Sequence, residues 1–269
     1  MIYQLYELQR AAWAPLHLAA ELGRSLAESL AHPPLGRALG AACELVARGT
    51  RSHRHAAFMV DPVIADGGAV ELEERVVEER AFCTLRHFAR ARREALPRVL
   101  VVAPLSGHFA ALLSDAVRGL LAAHDVYVTD WKDAREVPLA AGAFDLDAYI
   151  DYLLAFIRRL GPELHLVAFS QATVPALAAS ALAAAAGERA APRSLTLVAG
   201  PVDARVNAGP AQLFAASHAP AWYEATAIST VPRAYPGAGR RVLPGFLQLA
   251  GYLSHDLGRH IDAHWSFFG

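Results

Sequence analysis

Cysteine and lysine are nearly missing from this chain. Cys43 and Cys83 are the only cysteines in 269 residues, too few for a disulfide scaffold and without the CxxC spacing of a metal site. Both are expected to be buried or idle thiols in a reducing compartment. Lys132 is the sole lysine, and 25 basic residues face 26 acidic ones. No electrostatic footprint for nucleic acid follows from that balance. A long unbroken apolar run is missing from the N-terminus, where Glu7, Arg10 and Glu21 interrupt the hydrophobic residues, so no secretory signal is expected. The expected location is therefore cytoplasmic. The stretch Leu166 to Ala186 is apolar enough to suggest a membrane span, but Ser170, Gln171, Thr173 and Pro175 fall where a strand should turn into a helix, so no transmembrane span is expected. What the chain has in excess is apolar mass, 54% of its residues, enough for one large domain or a domain with a lid.

Periodicity divides the chain into three segments. In residues 1–60, Ile2, Leu5, Leu8, Ala12, Leu16, Ala19 and Leu22 recur at helical spacing, and a second helix is expected over Leu35 to Arg48 after the Pro33-Pro34 break. This segment reads as a layer packed on the core, or else as a face that docks on an apolar surface. In residues 61–205, alternation over Val70 to Val77 and Phe82 to Phe88 suggests an antiparallel pair. Continuous apolar runs then follow at Val99 to Ala103, Val126 to Thr129, Leu164 to Phe169 and Leu195 to Ala199, as in parallel strands covered on both faces. Helices are expected between them over Phe109 to Leu121, Leu146 to Leu160 and Val174 to Ala186. Strand and helix alternate as in a mostly parallel α/β sheet with helices on both faces. From Val206 to residue 269, prolines and aromatics accumulate and no further β-run is visible, which suggests a helical and irregular lid. No internal repeat is found.

The chemistry concentrates beyond the strand ends, where ligands of open α/β sheets lie. Leu164 to Ala178 reads LHLVAFSQATVPALA, a strand, a Phe-Ser-Gln turn and a helix, with Ala168 and Ala172 flanking Ser170 at −2 and +2. This is the layout of a nucleophile elbow, with alanine in place of the usual flanking glycines; the competing reading is a serine that caps the helix. In an elbow fold one oxyanion donor is the backbone N–H after the nucleophile, here Gln171. The other comes from the loop after an earlier strand, here holding Ser106, Gly107 and His108. His108 equally suits a surface loop. Asp130 ends a strand and can either face the site or cap the next segment. Asp203, past LTLVAGP, is a position from which a triad acid can come. Among His255, His260 and His264, the i, i+4 pair could hold a metal, but without an HExxH glutamate a polar helix face is the better reading. No metal or cofactor is expected.

Six collinear segments resemble the intracellular polyhydroxyalkanoate depolymerases of the α/β-hydrolase superfamily: MIYQLYELQRAAWAPLHLAAELGR, VLVVAPLSGHFAALL, HDVYVTDWKDAREVPLAAGAFDLDAYIDYL, VAFSQATVPALA, SLTLVAGPVDARVNAGP and RRVLPGFLQLAGYLSHDLGRHIDAHWSFF. The resemblance implies an esterase acting on poly(3-hydroxybutyrate) in cytoplasmic storage granules, with a granule or a hydroxyalkanoate oligomer as its partner. Ser170 stands where that family often has cysteine. The fold places its acid and histidine on loops after later strands, and no such strands are visible here. The expectation is an α/β-hydrolase-like sheet with later strands absent, an incomplete triad, and a sheet edge open to homo-oligomer formation. The alternative is a non-catalytic granule-surface protein on the same scaffold; transacylation to a thiol acceptor is a third possibility.

Overall fold

Apolar runs punctuated by proline and glycine build the central sheet. The structure, a computed structural model, describes residues 2–28, 39–44, 46–47, 63–65, 68–70, 72–90, 96–105, 113–245 and 247. The chain forms two compact units. One comprises Met1–Arg54, Glu224–Pro232 and Arg241–Gly269, the other His55–Tyr223 and Arg233–Arg240.

The larger unit holds the sheet. A short antiparallel pair, β1 (Val63–Ala65) and β2 (Gly68–Val70), precedes β3 (Leu72–Glu79) and β4 (Cys83–Arg90). The β3–β4 pair is antiparallel, with a register shift between Val76 and Glu78. Then come β5 (Arg98–Val102), α2 (Ser114–Leu121), β6 (Asp125–Trp131), α3 (Leu146–Leu160), β7 (Leu164–Phe169), α4 (Thr173–Ala185) and β8 (Ser194–Val198). The six-stranded sheet has the order β3-β4-β6-β5-β7-β8. β4 runs antiparallel to β6, while β6, β5, β7 and β8 are mutually parallel. An antiparallel lead-in to a parallel sheet whose third and fourth strands exchange places is the α/β-hydrolase fold. The chain leaves β5 toward β6 and returns across it to β7. That reversal opens a crevice at the carboxyl ends of β5 and β7.

Alternation along the strands feeds two cores. On one face Leu100, Val102, Leu164, Leu166 and Ala168 meet Leu153, Phe156 and Ile157 of α3 and Ala176, Ala179 and Ala183 of α4. On the other, Val99, Val101, Val126 and Val128 meet Val117 and Leu121 of α2. α3 begins where the Asp145 side chain accepts from the Ala148 N–H at 2.9 Å and ends at Gly161, whose φ of +76° suits glycine. Buried Arg240 donates to the carbonyls of Val137, Pro138 and Gly142 and lies over the Phe82 ring.

One expectation is corrected. The segment beyond Val206 contains α5 (Pro210–Ser217) and α6 (Pro220–Thr226), but also two strands, β9 (Ser229–Thr230) and β10 (Arg241–Val242), paired antiparallel. Two-residue strands carry no period to read. Of the helix expected over Phe109 to Leu121, Ser114–Leu121 is helical, and residues 109–112 lie outside the described ones. α1 (Ile2–Glu28) is a helix as expected, in which Leu5 is 69% and Leu8 68% exposed and Leu16 and Leu22 are exposed too. The buried residues of α1 are instead Tyr3, Ala20 and Ala27. Of the second expected helix, residues 39–44 and 46–47 are helical and the remainder lies outside the described residues.

Both cysteines are free, Cys83 fully buried and Cys43 partly so. Burial, reinforced by nearby Asp130, pushes the Cys83 thiol well above its ordinary range. Cys83 is therefore expected to resist a disulfide reagent at pH 8 in the native chain and to react once urea unfolds it. Comparable labelling rates in the two states, read by peptide mass spectrometry, would contradict this.

Candidate active site

The tip of β7 departs from ordinary backbone geometry. Phe169 is still extended, at φ −109° and ψ 135°, but Ser170 has φ +51°, the left-handed region that side chains avoid at a cost of roughly 1–2 kcal/mol. Gln171 and Ala172 complete a single 3₁₀ turn, and α4 starts at Thr173. The N-cap of α4 is Ala172 and makes no side-chain cap bond, so the capping reading of Ser170 has no counterpart here. Ser170 is exposed, and among the described residues no hydrogen bond to its hydroxyl is present.

The flanking alanines answer to volume, not to backbone freedom. Ala168 lies in the strand and Ala172 has φ −68°, both regions that any residue adopts. Both are completely buried, and a larger side chain would find no room. Strain is thus confined to the serine itself. Replacing Ser170 by glycine is expected to raise the unfolding free energy by about 1 kcal/mol, whereas alanine keeps the strain. Equal urea midpoints for the two variants would show that the turn is not strained.

Two features that sequence reasoning missed hold this turn. Thr173 Oγ1, fully buried, donates to the Ser170 carbonyl at 2.8 Å. After β8 the chain passes through Ala199, at φ +52°, and presses Gly200 against the elbow. A Cβ on Gly200 would lie 2.1 Å from Thr173 Oγ1 and 2.2 Å from the Ser170 carbonyl oxygen. The Gly-Pro after LTLVA marked a strand end but carried no sign of which backbone it would touch.

The end of β5 is gripped from three sides. The Ala103 N–H donates to Thr129 Oγ1 at 2.9 Å, and its carbonyl accepts from Trp131 Nε1 at 2.9 Å and the Tyr149 hydroxyl at 3.1 Å. All four residues are buried. Burial raises the Tyr149 phenol far above its usual range, keeping it a donor. Two residues on, the Leu105 N–H donates to Gln171 Oε1 at 3.2 Å. The structure thus brings Gln171 and the start of the loop after β5 together; Ser106, Gly107 and His108 lie outside the described residues.

Asp130 does not cap the next segment. It lies within β6, buried, and accepts from Arg86 Nε at 2.6 Å. The cap of the following turn is Asp133, which accepts from the Arg135 N–H at 3.0 Å. Asp203 is 41% exposed, and its carboxylate accepts from the Arg205 N–H at 3.0 Å and from Nε and Nη2 of the same residue, each at 2.8 Å. The Arg205 side chain and backbone hold that carboxyl below its ordinary range. His255, His260 and His264 lie outside the described residues. Among the described residues no cluster of three histidine, cysteine or acidic side chains is disposed for a metal, and no helix is long and apolar enough to cross a membrane.

Residues 199–269 match the family model described as PHB de-polymerase C-terminus. A search of curated proteins finds no match. Solved structures similar to the chain include the ester-hydrolase EH1AB1 from the metagenome of Lake Arreo, 16% identical, TM-score 0.39, covering 71% of this chain and 59% of that one. LAE6, an α/β-hydrolase from the metagenome of Lake Arreo, Spain, is 17% identical, TM-score 0.37, covering 71% and 58%. Brefeldin A esterase, a bacterial homologue of human hormone sensitive lipase, is 16% identical, TM-score 0.36, covering 52% and 42%. The chain spans about half the length of these structures.

Proposed function

We propose that this α/β-hydrolase-like chain, whose residues 199–269 match the PHB de-polymerase C-terminus model, is a polyhydroxybutyrate-depolymerase-like ester hydrolase with Ser170 as nucleophile and a 3-hydroxyalkanoate ester as substrate. The observation that carries this reading is the exposed Ser170 hydroxyl in a left-handed turn at the tip of β7. Its oxygen attacks the ester carbonyl carbon, and the carbonyl oxygen takes the developing negative charge. The Gln171 N–H and the loop holding Ser106, Gly107 and His108 would receive that charge. Collapse expels the alcohol, which takes a proton as it leaves, and water then releases the acid from the acyl-enzyme. A serine hydroxyl is hardly ionised near neutral pH, so a general base, in this fold a histidine on a loop after a later strand, has to accept its proton. Asp203, held by Arg205, would orient that histidine through an acceptor site that Arg205 leaves open on Oδ2.

The test pairs hydrolysis of 3-hydroxybutyrate oligomers and of isolated polyester granules with granule association, for the unsubstituted chain and Ser170→Ala. Acid release that disappears in Ser170→Ala supports the proposal. Granule association retained by both chains, with no acid released by either, would instead establish the non-catalytic granule-surface reading. Release that needs an added thiol and yields a thioester would indicate transacylation.

A further inference from the structure

We infer that the Gln171 side chain is a positioning residue that sets the spacing between the two halves of the oxyanion site. The inference rests on the proposed Ser170 mechanism. In that mechanism the Gln171 backbone N–H supplies one donor and the loop after β5 supplies the other. Those donors come from strands β7 and β5, whose pairing ends at Val102 and Ala168. Beyond that point no ladder hydrogen bond holds one to the other. The Leu105 N–H to Gln171 Oε1 bond, at 3.2 Å, spans that gap.

The side-chain bond has something rigid to work against. Ala103, two residues before Leu105, has its N–H and carbonyl fixed by Thr129, Trp131 and Tyr149. On the other side, Ala172 and Thr173 are fully buried and the Ser170 carbonyl is held by Thr173. The Leu105 side chain packs partly against the core, and Gln171 tethers its backbone N–H from the residue that also carries the first donor. With its own N–H engaged by Gln171, Leu105 is not a free oxyanion donor. The second donor is assigned, as proposed above, to the remainder of that loop. A preset distance between donors matters because oxyanion donors act only when aimed at the position the charged oxygen will occupy.

The test compares Gln171→Met, similar in length but without a strong acceptor, with Gln171→Glu, which keeps an acceptor oxygen. The first readout is hydrogen exchange of the Leu105 amide. It is expected to quicken about 10-fold in Gln171→Met, the loss expected for one modest hydrogen bond, and to stay unchanged in Gln171→Glu. The second is inactivation of Ser170 by a p-nitrophenyl alkylphosphonate, whose tetrahedral adduct places an oxygen in the oxyanion site. Gln171→Met is expected to lower the limiting rate about 10-fold, less than the roughly 100-fold of deleting a donor outright, with the half-saturating concentration unchanged. Unchanged exchange in Gln171→Met, or a change confined to half-saturation, overturns the positioning role. Faster inactivation in Gln171→Met also overturns it, since the side chain would then be blocking the site. Failure of the unsubstituted chain to be phosphonylated at Ser170 overturns the serine mechanism, while the exchange arm still shows whether the tether exists.

Discussion

Ser170→Ala is expected to reduce ester hydrolysis to background. In hydrolases that work through an activated serine, removing the nucleophile costs roughly 10⁶-fold in turnover, because oxyanion stabilisation and binding alone retain only a small part of the acceleration. The alanine variant would keep the left-handed turn and its strain, so the loss should come without a change in urea midpoint. Ser170→Cys provides the opposite control. A thiol ionises far more readily than a hydroxyl, so acyl-enzyme should still form, and it should be visible by mass spectrometry as an ester-derived adduct. Turnover surviving in Ser170→Ala would move the chemistry elsewhere on the sheet.

The second large effect is expected at Gly200. An added Cβ would meet Thr173 Oγ1 at 2.1 Å and the Ser170 carbonyl oxygen at 2.2 Å, and the latter is backbone that no rotamer change can move. Gly200→Ala should therefore cost about 3 kcal/mol in urea unfolding, the upper part of the range for forced overpacking, and should abolish Ser170-dependent hydrolysis by displacing the turn. Adding Thr173→Ala would clear only the side-chain clash. The double variant is expected to stay close to the single one in stability, since the carbonyl remains and the Thr173 hydrogen bond is lost as well. Full recovery in the double variant would show that the carbonyl contact relaxes freely.

The parts of this fold that could be read from the chain are those whose punctuation is local. α3 and β7 occupy the residues expected of them because Asp145, Gly161 and the buried alternation of Leu164, Leu166 and Ala168 are short-range signals. β6 ends at Asp130 and Trp131 as the sequence suggests, but that the buried carboxylate pairs with Arg86 on a neighbouring strand was not legible in it. The grip on Ala103 joins positions 26 to 46 residues apart, and the contact of Gly200 with Ser170 depends on which strands become neighbours. Such pairings follow from strand order, and no periodicity encodes them. The elbow was legible as a pattern of small residues around a serine, yet the location of its strain at Ser170 itself was not.

The helix behind the serine has a last consequence. Its sheet-facing residues Ala176, Ala179 and Ala183 are fully buried, so the helix sits against the strands at methyl depth. At a rise of about 1.5 Å per residue, Ala183 is roughly 20 Å from the nucleophile. Bulk introduced there would lift the far end of a rigid rod whose near end carries the reactive turn. A leucine at that distant position would thus act as a wedge, detuning the chemistry without touching anything near the substrate.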